Sequence, residues 1–259
     1  MPNKSLGQHW LKDRLILEAI VDSAGVTPQD HVVEIGPGLG TMTSVILGQA
    51  KSVTAVEYDE TLASKLLGQF PGKQLEVVNT DILQYDFSAI VGGYKVIGNI
   101  PYYITNKIVR SLTETSQKPS VAVLLMQKEV ADRIAAEPGA MSILSVITQV
   151  YYEATLGIYV PREYFTPPPK VDSQVIVLKL RNSPLVTSDD QKQFFRVVKA
   201  GFVARRKKLR SSLAGGLNIS KQTCEHLLEQ AGVSQDARAQ ELSVEQWLAI
   251  SHSSQELSI

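Results

Sequence analysis

Asn99-Ile100-Pro101-Tyr102 holds, within four residues, the groups that chemistry on an adenine amino group requires. An asparagine side-chain carbonyl and a backbone carbonyl stiffened by Pro101 can accept both hydrogens of an exocyclic amine, and Tyr102 offers a ring on which the base stacks. Well upstream, Glu34-Ile35-Gly36-Pro37-Gly38-Leu39-Gly40 is a glycine-rich turn suited to a nucleoside cofactor. Together the two segments point to a methyl group moved from S-adenosylmethionine to a nucleobase nitrogen.

Gly36, Gly38 and Gly40 fall at every second position, whereas the dinucleotide fingerprint is G-x-G-x-x-G. That spacing points away from NAD, whose pyrophosphate needs the amides of a helix N-terminus, and toward a cofactor without phosphate. Glu57 ends the next apolar run, where an acid can accept ribose hydroxyls. Asp81 follows the third run, placed to accept from a cofactor adenine amine or to cap the helix behind it. Glu34, Glu57, Asp81 and Asn99 all fall at the carboxyl ends of successive strands, the edge at which open α/β sheets bind ligands.

The elements that must position these residues read from periodicity. Apolar residues at 11, 15, 16, 19 and 20 predict a helix over Leu11 to Ala24, stopped by Gly25. Strands are predicted at 31–35, 52–57, 75–79, 95–98 and 120–126, separated by helices at 41–50, 60–70 and 106–115. Such alternation implies a parallel sheet with right-handed crossovers. Helices at 128–136 and 142–149 and strands at 151–159 and 174–180 follow, the last two adding an antiparallel pair. From Ser188 onward the pattern is purely helical, near 189–202, 207–214, 220–230 and 243–252. Asn182-Ser183-Pro184 breaks the last strand. Residues 1–183 are therefore expected to form a cofactor-binding catalytic domain, and 184–259 a helical RNA-binding domain.

Composition agrees with a folded chain of this kind. Of 259 residues, 44% are hydrophobic, enough for a sizeable core. Cys224 is the only cysteine, and His9, His31, His226 and His252 are scattered, so neither a disulfide framework nor a cysteine or histidine metal site is expected. The start Met1-Pro2-Asn3-Lys4 lacks the apolar core of a signal peptide, and no apolar run reaches the length of about eighteen residues that spans a membrane. The chain reads as cytoplasmic. Net charge is zero but segregated: residues 181–215 carry nine Lys or Arg against two acids, and 216–259 two against six. Arg205, Arg206, Lys207, Lys208 and Arg210 form the densest run, whose chemistry is phosphate contact. The three prolines of Phe165-Thr166-Pro167-Pro168-Pro169-Lys170 stiffen a loop that would hold Phe165 over a pocket, opposite Tyr102.

Over nearly its whole length the chain resembles the ribosomal RNA adenine dimethyltransferases, and within them the KsgA group acting on the small subunit. The resemblance rests on Leu6-Gly7-Gln8-His9-Trp10-Leu11, Glu34 to Gly40, Glu57, Asp81, Asn99 to Tyr102, Leu125 to Val130, Phe165 to Ser173, Arg205-Arg206-Lys207 and Arg238. It implies a class I S-adenosylmethionine-dependent methyltransferase domain, Rossmann-like, with a small all-helical C-terminal domain. It also implies cofactor contacts at His9, Leu11, Gly36, Gly38, Glu57, Asp81 and Asn99, and catalytic roles at Asn99, Pro101, Tyr102 and Phe165. The implied product is N6,N6-dimethyladenosine at two adjacent adenosines near the 3′ end of small-subunit rRNA. The implied partner is rRNA within an immature subunit, met by a monomer without metal. Lys128-Glu129 and the string from Phe165 to Ser173 favour the small subunit over the large-subunit methyltransferases of antibiotic resistance. An assembly factor that chiefly binds immature subunits is the alternative of a different class. The chain departs from the family's usual Gln-Asn-Phe-Leu start by His9 and Trp10, and Ala204 stands where a polar residue often precedes the arginine pair.

Overall fold

The computed structural model describes residues 8–187, 189–204 and 206–259. Arg205 and the string Leu6-Gly7 lie outside the described residues. Along the chain run β1 (Trp10–Leu11), α1 (Arg14–Asp22), β2 (His31–Ile35), α2 (Thr41–Gln49), β3 (Ser52–Glu57), α3 (Glu60–Gln69) and β4 (Leu75–Asn79). There follow β5 (Tyr94–Asn99), α4 (Thr105–Glu114), β6 (Val121–Gln127), α5 (Lys128–Ile134), α6 (Ile143–Gln149), β7 (Tyr152–Val160), β8 (Phe165–Thr166) and β9 (Ser173–Leu180). The chain closes with α7 (Gln191–Gly201), α8 (Leu209–Leu217), α9 (Lys221–Gln230) and α10 (Val244–Glu256).

Seven strands form one sheet in the order β4-β3-β2-β5-β6-β9-β7. The pairs from β4 to β6 are parallel and β9 runs antiparallel to β6. Central strands are near-continuous apolar runs because helices cover both faces of such a sheet. Every residue of Ala122 to Met126 in β6 is buried, whereas no residue of the edge strand β4 is, and Glu76 and Asn79 there are exposed. β2 is the switch point: the chain proceeds to β3 on one side and enters β5 on the other, and this reversal opens a crevice beyond the strands' carboxyl ends. Gly98 leaves room for Ile35 of the neighbouring strand, since a Cβ there would lie 2.9 Å from the Ile35 carbonyl.

The predicted first helix begins later than its apolar period suggested. Leu11 belongs to β1, which pairs antiparallel with β8, and Asp13 caps α1 by accepting from the Ile16 amide. The buried stripe is accordingly Leu17, Ile20 and Val21, while Leu15 is 77% exposed. Strand pairing overrode the helical register there.

Two compact units emerge: residues up to Asp132 with Glu153–Leu180, and Arg133–Tyr152 with Arg181–Ile259. Residues 133–152, written above into the larger domain, sit in the second unit because α6 packs on α7 and the Gly139 and Met141 amides donate to the Gln240 carbonyl. That unit is built around Trp247, fully buried and stacked on Phe202 at 5.4 Å.

Adjacent glycines of α8 make a sharp test of its packing. A Cβ on Gly216 would lie 2.5 Å from the Ala200 Cα, whereas one on Gly215 meets nothing within 4 Å. Gly215→Ala should stabilise by about 0.4–1 kcal/mol through the unfolded chain, and Gly216→Ala should cost about 1–3 kcal/mol by overpacking. Opposite shifts in denaturation midpoint are expected; equal shifts would contradict the crossing.

Candidate active site

At the switch point a cavity of about 350 Å3 opens, within the range of small-molecule sites. The carboxyl ends of β2, β3 and β5 and the turn after β4 bring Gly36, Gly38, Glu57, Asp81 and Asn99 to its wall. His9, Pro101 and Tyr102 complete the group. Residues remote in sequence thus meet at one edge.

The turn after β2 shows what kind of cofactor the cavity suits. Gly36 and Gly38 take φ of 65° and 57°, which side chains rarely adopt, so the backbone itself forms the wall. All three glycine amides are occupied internally. Gly36 N donates to the Val56 carbonyl, Gly40 N to the Pro37 carbonyl, and Gly38 N to Glu57 Oε2 at 3.0 Å. A pyrophosphate would therefore find no free glycine amide here, and it would face a carboxylate. The residues fit a nucleoside cofactor lacking phosphate.

Glu57 is buried, and its other oxygen accepts from the Asp59 amide at 2.9 Å. Burial raises its pKa while the Asp59 and Gly38 amides pull it down. Each carboxyl oxygen keeps acceptor capacity for a hydroxyl. Asp81 lines the cavity and accepts from the Leu83 amide through Oδ1, with Oδ2 remaining; a turn over 82–84 and not a helix follows it, so it is not a helix cap.

Asn99 is oriented by the opposite end of the chain. Its Nδ2 donates to the His9 carbonyl at 3.0 Å, so its free end is the Oδ1 acceptor. The Pro101 carbonyl already accepts from the Ile104 amide and the Thr105 hydroxyl, which leaves the Ile100 carbonyl as the backbone acceptor with no partner among the described residues. Tyr102 Oη pairs with the buried Ser173 hydroxyl at 2.6 Å, and its ring stacks on His9 at 5.9 Å. The His9 ring donates through Nδ1 to the Pro167 carbonyl at 2.7 Å, which fixes its tautomer. His9 therefore clamps the site as well as lining it.

Two expected site residues stand elsewhere. Phe165 is 2% exposed and packs in the core, its backbone paired with Leu11, so its ring does not line the cavity. Leu11 is likewise a core residue; it borders only a cavity of about 30 Å3 behind the glycine turn. Pairing of β1 with β8 draws both inward. Conversely, Tyr58, Ile82 and Tyr103 line the main cavity and were passed over. Their signal was adjacency: each follows directly on Glu57, Asp81 or Tyr102 with apolar surface. In the second unit, Lys208 pairs with Asp236 at 2.7 Å and Arg210 with Glu225 at 2.8 Å, while Arg206 and Lys207 have no acidic partner among the described residues. The densest basic run is partly neutralised.

Glu34 is the most strained group electrically. It is 1% exposed, its Oε2 has no hydrogen-bond partner, and the adjacent Thr43 hydroxyl only partly offsets the cost of burial. Burial, reinforced by the Glu57 charge, pushes its pKa up to about 8. Among the described residues, no helix is long and apolar enough to cross a membrane, and no group of three or more His, Cys, Asp or Glu gathers to hold a metal ion.

Comparison with known proteins bears on the family and the fold. The family described as ribosomal RNA adenine dimethylase matches residues 2–256. The ribosomal RNA small subunit methyltransferase A of Desulfitobacterium hafniense is 41% identical over 252 residues, covering 96% of this chain and 90% of the relative. That of Dehalococcoides mccartyi is 37% identical over 248 residues, covering 94% and 85%. Among solved structures, a dimethyladenosine transferase from Plasmodium falciparum superposes with TM-score 0.84 at 25% identity, covering 97% of this chain and 99% of that one. The 23S rRNA methyltransferase ErmE superposes with TM-score 0.78 at 30% identity, covering 94% and 98%. The fold is thus a Rossmann-like methyltransferase fold followed by a helical part.

The buried acid carries a pH signature. Because its folded pKa lies above the unfolded 4.5, the folded state binds the extra proton, and stability falls as pH rises from about 4.5 to about 8. The slope is about 1.4 kcal/mol per pH unit. Glu34→Gln should match the parent near pH 5 and exceed it in thermal stability near pH 8.5. Parallel melting profiles across that range would refute an ionisable strain at Glu34.

Proposed function

This chain belongs to the ribosomal RNA adenine dimethylase family, and on that premise we propose that it methylates the exocyclic amines of two adjacent adenosines near the 3′ end of small-subunit rRNA, giving N6,N6-dimethyladenosine. The observation that carries the reading is the pair of free acceptors, Asn99 Oδ1 and the Ile100 carbonyl, beside a cavity suited to a phosphate-free nucleoside. The large-subunit alternative is not favoured, since the curated relatives are named for the small subunit at identities above that of ErmE. Immature subunits are the proposed form of the substrate.

S-adenosylmethionine, when bound, supplies a methyl carbon made electrophilic by its sulfonium. Glu57 would hold its ribose hydroxyls, Asp81 its adenine amine, and the backbone at Gly36 and Gly38 its close approach. The remaining task is to position a weak nucleophile and keep water away. The target amine's lone pair is delocalised into the purine ring. Two acceptors on its hydrogens draw it toward tetrahedral geometry and localise that pair. The adenosine must leave its stack to reach them, and the Tyr102 ring offers a face to receive it. As the amine nitrogen takes the methyl carbon, the carbon–sulfur bond would break with its electron pair left on a neutral thioether, and the surplus proton on nitrogen passes to solvent.

Mapping dimethyladenosine by mass spectrometry in small subunits lacking the mark, after incubation with protein and cofactor, tests the function. Methylation confined to large-subunit rRNA would overturn it. Within the site, Asn99→Ala should lower single-turnover rate by the equivalent of about 2.7–4 kcal/mol, by analogy with oxyanion-hole donors. Tyr102→Phe keeps the ring and should retain most activity, although stranding the Ser173 hydroxyl costs about 1–3 kcal/mol of stability. Tyr102→Ala should lose stacking worth about 1–3 kcal/mol. If the phenylalanine variant is as inactive as the alanine one, the hydroxyl is the working group.

A further inference from the structure

Beside Arg206 and Lys207, the second unit carries further positive charge without an acidic partner along α7. Lys192, Arg196 and Lys199 are spaced i, i+4, i+7 and fall on one stripe of the helix, opposite the buried Phe194, Val197 and Val198. All three are exposed. None has an acidic partner among the described residues; Arg196 donates only to Gln193, at 3.3 Å. The nearest acid at the helix start, Asp190, is engaged by Thr187 and Gln255.

These cations border a groove of about 500 Å3 whose other walls are Phe195, Ala200, Val203 and Gly216. Close packing of α8 on α7 makes the groove: with Ala200 and Gly216 at the contact, no side chain is large enough to fill it. Apolar surface stays open beside the charges. Val203 is 72% exposed, and Phe195 is half-buried, resting on Phe194 at 5.9 Å. A solvated basic face needs no groove and no exposed apolar residues. Cations that track a backbone next to a ring that can meet a base are the design of single-strand binding sites.

We propose that the α7–α8 groove binds an unpaired segment of RNA, with phosphates on Lys192, Arg196 and Lys199 and a base against Phe195 and Val203. The proposal rests on the rRNA reading above and adds to it a second contact area, on the helical unit and distinct from Asn99 to Tyr102. A duplex fits less well, because its bases are stacked away from Phe195, and an acidic side chain brings charge without a base to stack on the ring.

The test uses the full chain and a fluorescent single-stranded oligoribonucleotide of about ten nucleotides, within the site sizes of such grooves, with the matching duplex as competitor. The triple variant Lys192→Gln/Arg196→Gln/Lys199→Gln should bind the single strand at least about tenfold more weakly, and its salt slope should fall by about two, as expected for three lost phosphate contacts. Calorimetric affinity for S-adenosylmethionine should not change. Phe195→Leu, which keeps apolar packing, should weaken single-strand binding severalfold without altering the slope. Arg206→Gln/Lys207→Gln serves as the comparator. Unchanged binding in the triple variant, alongside weakened binding in the comparator, would overturn the groove and leave the rRNA reading standing. Equal loss of duplex and single strand, or equal competition by polyglutamate, would overturn the assigned ligand. A parent protein that neither binds RNA nor methylates it would remove the reading on which the groove rests.

Discussion

The hydrogen bond from Asn99 Nδ2 to the His9 carbonyl is the contact on which the site depends. It joins the carboxyl end of a central strand to a segment ninety residues earlier, and it settles which end of the amide is free. The same segment is held from two further directions, by the His9 ring on the Pro167 carbonyl and on the Tyr102 face. Pro167 and the two prolines after it reduce the freedom of the loop that carries this carbonyl. A short ribbon of two residues on two would not hold by its own hydrogen bonds. It holds because Leu11 and Phe165 bury their side chains in the sheet's core. Core packing and site geometry are thus one construction, which is why Phe165 is drawn inward instead of reaching the cavity.

The cavity's electrostatics follow from the same economy of polar groups. Glycine amides that would otherwise bind an anion are turned inward, and one of them holds Glu57 in place. The site gains a fixed carboxylate and loses any affinity for pyrophosphate. Glu34, one residue before the end of its strand, is buried without a full set of partners and is neutral near pH 7. Buried polar groups left short of partners are costly and cluster where function needs them. Here two buried acids interact beside the cofactor turn, and burial holds both above the ordinary carboxylate range.

In the second unit, charge is distributed by pairing rather than by density. Lys208 and Arg210 meet Asp236 and Glu225 and hold parts of the helical unit to one another. Exposed pairs of this sort add little stability, typically up to about 1 kcal/mol. Their larger effect is to subtract charge from the surface an anion would meet. The stripe on α7 escapes because its opposite face is buried and its own face meets no carboxylate.

Strand and helix positions were legible because apolar runs of β2, β3, β5 and β6 alternate with helical periods, and local hydrophobic pattern decides both. The cofactor class was legible from glycine spacing at 36, 38 and 40, and the amine chemistry from Asn99 to Tyr102. Leu11 was misplaced because its helical period is also compatible with a strand partner lying far ahead in sequence. The membership of 133–152 in the second unit was hidden for the same reason: its partners, on α7 and at Gln240, come more than forty residues later. Sequence determined which groups exist and on which elements they ride. Tertiary structure alone decided which end of the Asn99 amide is free, which cations are already neutralised, and which aromatic faces the cavity. Those outcomes depend on hydrogen bonds, ion pairs and packing between distant segments, which no local pattern encodes.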